Sequence, residues 1–74
     1  MEIDALLNEL PDTIPYNSNT YYLSIFREDG VWYVEYVNSQ RQPECHTLVY
    51  VERDDFTSAL KELMRRLRQG RYIN

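Results

Sequence analysis

One cysteine, one histidine and two glycines in 74 residues leave this chain short of the groups on which most catalytic, metal and phosphate sites are built. The single Cys45 has no partner for an intramolecular disulfide, which suits a reducing compartment. A structural zinc site takes four ligands, and one Cys with one His falls short of that. Cys45 and His46 are adjacent in a segment that reads as a strand, so they point to opposite faces and do not make a nucleophile and base pair. There is no Gly-rich phosphate loop, no GxSxG, no HExxH and no EF-hand loop. The acid pairs Glu28-Asp29 and Asp54-Asp55 have local explanations, a hairpin turn and a helix start. The expectation is a protein that is not an enzyme and holds no metal or cofactor.

Long apolar runs are also missing. The longest last only a few residues, against the roughly 20 that cross a bilayer, and the first ten residues are acidic and amphipathic rather than basic and then apolar. Neither a membrane span nor a secretory leader is expected, and the cytoplasm is the expected location. Hydrophobic residues nevertheless make up 43% and aromatics 14%, enough for a folded core. A chain of this size buries roughly 60% of its extended surface and forms one domain, residues 1–74.

Ile3, Leu6, Leu7 and Leu10 recur at helical spacing, so residues 2–10 read as a short helix stopped by Pro11. Asp12 to Asn19 reads as a polar connection. From Thr20 the period changes to two, with β-branched and aromatic residues over Thr20 to Arg27 and Val31 to Val37. The intervening Glu28-Asp29-Gly30 supplies the left-handed position of a tight hairpin. Trp32, Val34 and Tyr36 share the face expected to meet the core. A longer polar loop over Asn38 to Pro43 leads to a third strand, Cys45 to Val51, with weak face preference. Asp54 or Asp55 then caps a helix over 55–69, on which Phe56, Ala59, Leu60, Leu63, Met64 and Leu67 form one apolar stripe. Gly70 ends it, and 71–74 form a tail. The expected fold is α+β, in the order α-β-β-β-α: a three-stranded antiparallel meander over 20–51 with two helices on one face.

Net charge is −4 but unevenly spread along the chain. Residues 1–60 carry three basic and eleven acidic side chains, while 61–74 carry five basic and one acidic. Seven tyrosines, with Trp32 and Phe26, exceed what so small a core hides, and period two forces Tyr33 and one of Tyr21 and Tyr22 outward. The result is an open aromatic sheet face, and aromatic side chains rimmed by acids are anchors of protein interfaces. Glu28, Asp29, Tyr33, Glu35 and Glu44 are the expected protein-contact residues. Arg65, Arg66, Arg68 and Arg71 on and after the last helix offer a second expectation, a nucleic-acid-binding regulator. A third is a homodimer made by pairing of an exposed edge strand.

Helix, three antiparallel strands and helix in about 70 residues is similar in topology to the double-stranded-RNA-binding domain. That family has a lysine cluster where this helix begins Asp54-Asp55-Phe56-Thr57 and a Gly-Pro-His run near the hairpin that here is Glu28-Asp29-Gly30, so RNA binding is not implied. In size, acidity, tyrosine content and layout the chain resembles the small anti-CRISPR and related host-defence inhibitors made by bacteriophages. That resemblance implies a stoichiometric inhibitor in the host cytoplasm. Its partner would be a basic nucleic-acid-binding surface of a host effector.

Overall fold

The hairpin at Asp29-Gly30 is the hinge of the architecture. Both residues have positive φ, 53° and 77°, the type I′ arrangement whose twist matches the flanking strands. The computed structural model describes residues 2–38 and 46–70. Within them run α1 (Glu2–Glu9), β1 (Thr13–Tyr16), β2 (Asn19–Glu28), β3 (Val31–Val37), β4 (Thr47–Arg53) and α2 (Phe56–Gln69). The four strands form one antiparallel meander in the order β1-β2-β3-β4. The class is α+β, as expected.

The strand count is four rather than three. The segment read as a polar connection holds β1, whose sequence Thr-Ile-Pro-Tyr folds back on β2 through Asn17-Ser18. Those two residues have φ of 48° and 67°, a second two-residue turn with both positions left-handed. Pro15 and the polar flanks hide this strand from a pattern search, because proline is depleted in sheets. Here it lies on an edge strand, where its missing N–H does no harm.

β4 starts at Thr47 and runs to Arg53, two residues beyond the expected end; Cys45 lies outside the described residues. A bulge explains its weak face preference. Tyr36 pairs with Val49 but Val37 with Thr47, so Leu48 is an extra residue, and Leu48 and Val49 are buried side by side.

Val34, Tyr36, Val49 and Val51 turn to one side of the sheet and pack with Ala59, Leu60, Leu63 and Met64 of α2. Trp32, on the same row, stacks its ring 4.4 Å from Phe56 at the start of that helix. Asp55 caps α2 by accepting from the Ser58 N–H at 2.8 Å, and Gly70 closes it in the left-handed conformation. α1 lies along α2. Leu10 after it is buried, and Ile3, Leu6 and Leu7 are half-buried against the core. Both helices therefore cover one face of the sheet.

Tyr36 is fully buried at the centre of this core, and its hydroxyl donates to the Pro11 carbonyl at 2.7 Å. That bond ties the α1–β1 connection to the middle strand. Tyr36→Phe is expected to cost about 1 kcal/mol, whereas Leu60→Ala, which empties a fully buried site on α2, costs about 2–5 kcal/mol. Chemical denaturation of the two variants checks the ranking. Ser18 holds a left-handed conformation with a Cβ, so Ser18→Gly is expected to stabilise the fold by about 0.5 kcal/mol, read from the same denaturation midpoint.

Candidate interaction face

With the helices on one side, strand alternation delivers a second, uncovered face. Tyr22 pairs with Val37, Ser24 with Glu35 and Phe26 with Tyr33; Glu35 in turn pairs with Tyr50 and Tyr33 with Glu52. These residues share the side opposite the helices. Phe26 and Tyr33 stack with centroids 4.8 Å apart and planes 11° from parallel, and Tyr50 tilts against Tyr33 at 6.3 Å. Tyr22, Phe26 and Tyr50 remain 46%, 43% and 38% exposed. This is an aromatic row across three strands that no described element covers.

The described charges on this face are all negative. Glu28, Glu35 and Glu52 belong to it, and Asp29 stands at the hairpin tip beside it. Arg27 and Arg53 fall on the other row with Trp32. Arg27 places its guanidinium 5.6 Å from the Trp32 ring centre there.

Glu35 is half-buried in the middle of the row, and burial holds its carboxyl above the ordinary range. Among the described residues none donates a hydrogen bond to it. The neighbouring Tyr50 hydroxyl donates to Glu52 at 2.8 Å, and that bond, first among several causes, pushes the phenol up to about 12.

The structure thus gathers Glu28, Tyr33 and Glu35 on one face with Asp29 at its end; Glu44 lies outside the described residues. Tyr21 is buried, so Tyr22 is the outward member of that pair. The face also contains Phe26, Tyr50, Ser24 and Glu52, which the sequence reading did not select. The signal for Phe26 was its register opposite Tyr33 across the Asp-Gly turn. Tyr50 was masked by the bulge.

The basic helix is differently disposed. Lys61 pairs with Glu2 at 3.0 Å and Arg68 with Glu9 at 3.2 Å, lacing α2 to α1. Arg65 and Arg66 both hold Glu62, at 2.6 and 2.9 Å, and these bonds bring its carboxyl down to about 2. Each described cation of α2 has a carboxylate partner. Arg71 lies outside the described residues. An open groove of about 390 Å³ between the helices, floored by Leu6 and Met64, is rimmed by Lys61, Arg65 and Arg68, each already paired with a carboxylate.

The sheet edges are guarded in part: β2 runs past the end of β1, and the backbone of Ile25 and Arg27 on that side meets no described strand. The two-residue turns fix which residues face outward: in β1 the groups of Thr13 and Pro15, in β4 those of Tyr50 and Glu52. Pro15 offers no N–H. The Tyr50 carbonyl accepts from Arg66 Nη1 and the Glu52 carbonyl from Arg53 Nη1, both at 2.7 Å. Proline and arginine blunt these stretches of edge.

Among the described residues no three metal-ligating side chains are gathered together, and no helix is long and apolar enough to cross a membrane. His46 is exposed, its backbone bonded with Asn38. No protein-family model, curated protein or solved structure shows significant similarity to the chain.

A carboxyl whose pKa is raised by folding binds its proton more tightly in the folded state. The stability that Glu35 withholds is therefore absent at low pH and grows as pH rises from its unfolded value through its folded one. Glu35→Gln is expected to unfold at a higher temperature than the parent at pH 7. The gain is below about 1 kcal/mol because solvent still screens the group, and it closes near pH 4. Thermal melts of both proteins across that range measure it.

Proposed function

We propose that this chain is a non-enzymatic protein-binding module, a small acidic inhibitor that lays the open face of its sheet on a basic surface of a nucleic-acid-processing or defence complex. The observation that carries this reading is the uncovered row Tyr22, Phe26, Tyr33 and Tyr50 interleaved with Glu28, Glu35 and Glu52 and with no lysine or arginine among its positions. Aromatic side chains supply desolvated contact area at low conformational cost, and carboxylates of one sign select a positive partner and steer its approach. Asp29 at the hairpin tip extends the acidic rim.

The pairing of Lys61, Arg65, Arg66 and Arg68 with Glu2, Glu62 and Glu9 favours this face over the last helix as the contact surface. Phosphate binding by those arginines would first have to break pairs within the chain.

The test is a pull-down from nuclease-treated and untreated halves of a bacterial lysate with the tagged protein and two variant sets. Tyr33→Ala and Glu35→Lys are expected to lose a stoichiometric protein partner by tenfold or more while their melting temperatures stay within a few degrees of the parent. Arg65→Ala with Arg68→Ala is expected to retain it. The opposite pattern, or recovery only through nucleic acid, overturns the reading.

A further inference from the structure

We infer that the open face reads its partner through one arginine, seated on the Glu35 carboxylate beside the ring of Tyr50. This rests on the reading of that face as the contact surface and names what it selects.

Asp4, Asp12, Glu28, Asp29 and Asp54 also lack a partner among the described residues but are exposed to water; the remaining carboxylates set the contrast. Glu2, Glu9 and Glu62 each hold a cation, Asp55 holds the Ser58 N–H, and Glu52 accepts the Tyr50 hydroxyl. Glu35 is half-buried like Glu62, yet among the described residues it has neither cation nor donor. Its neighbours are fixed by register: Ser24 opposite on β2, Tyr50 opposite on β4, Tyr33 two residues back on its own strand. The Glu35–Tyr50 pair is of the non-hydrogen-bonded kind, in which side chains stand closest. The Tyr33 ring is held by stacking on Phe26, and the Tyr50 ring by the bond of its hydroxyl to Glu52. The seat is thus a carboxylate that no described residue claims, with the Tyr50 ring beside it and the stacked Tyr33 and Phe26 rings closing one side.

Guanidinium matches these features together. Its planar fork reaches both oxygens of a carboxylate, its flat face stacks on tyrosine, and it sheds water more easily than ammonium. The chain already uses both modes on its own residues, Arg27 over Trp32 and Arg65 forked onto the two oxygens of Glu62. Lysine makes neither the fork nor the stack. A neutral planar group stacks without answering the charge. Glu28 and Glu52 add negative potential at the margin, so arginine within a basic segment is favoured further.

Two-dimensional NMR of the full chain, titrated with short blocked peptides at physiological salt, tests this. One probe carries a single arginine among glycines, a second lysine at that position, a third citrulline, which keeps the planar shape without the charge. The expected result is saturable shifts confined to Ser24, Tyr33, Glu35 and Tyr50. Arginine should bind at least about threefold tighter than lysine, and citrulline should not saturate. Glu35→Gln, checked as folded by its own spectrum, should abolish the response, and Asp4→Asn, on the helix side of the sheet, should keep it. Equal affinity for arginine and lysine at this face overturns the arginine seat and leaves the face as a docking surface for basic partners. Shifts spread over Asp4, Asp12 and Asp54, or no saturable shift on the face with any peptide, overturn the seat as well. The variant pull-down then judges the docking face separately.

Discussion

Everything in this molecule follows from a sheet with helices on one side only. Alternation along β2, β3 and β4 divides each strand between a row that meets α2 and a row that no described element covers, and the turns fix which residue joins which row. A one-residue slip at Asp29-Gly30 would put Glu35 into the core and Val34 and Tyr36 into water. The left-handed pair at the turn, the Tyr36 bond to Pro11 and the leucines of α2 hold that register from three directions. The aromatic face is therefore the reverse side of the core, fixed by the same constraint.

What the sheet does at its edges decides how the face can be used. A small antiparallel sheet with bare edges invites another strand, and the binding mode would then be backbone pairing with little regard for side chains. Pro15 on β1 removes a donor, and Arg66 and Arg53 occupy carbonyls on β4. On the open face, by contrast, recognition depends on side-chain chemistry. Arg66 serves two ends in this scheme, since it bridges Glu62 on its own helix to the edge of the sheet.

Much of this was legible in the sequence, and the rest was hidden for identifiable reasons. The helical spacing of Phe56, Ala59, Leu60, Leu63 and Met64 gave α2 and its Gly70 end almost to the residue, and left its cap between Asp54 and Asp55, of which Asp55 is the one. The alternation through Thr20 to Val37 gave β2, β3 and the outward Tyr33 and Glu35. β1 escaped because its four residues include a proline and its turn, Asn17-Ser18, lacks a glycine. Tyr50 escaped because the bulge at Leu48 breaks the period of two just before it. Pairing across elements was out of reach: α2 contributes Glu62 to hold Arg65 and Arg66, but nothing local to the helix identifies Glu2 and Glu9 as the partners of Lys61 and Arg68.

That last point changes the meaning of the charge pattern. Along the chain the molecule divides into an acidic body and a basic end, which reads as an electric dipole with a cationic pole at the last helix. In space the four described cations of α2 face three carboxylates from α1 and α2 themselves, so that pole is nearly cancelled. The charge left without an internal partner is mostly carboxylate, and much of it sits on the sheet face and its hairpin. Folding moves the field of the protein from the two ends of the sequence to one surface. A cationic partner approaching from solution is therefore drawn toward the side where Tyr22, Phe26, Tyr33 and Tyr50 already stand uncovered, so long-range attraction and short-range contact area act on the same patch.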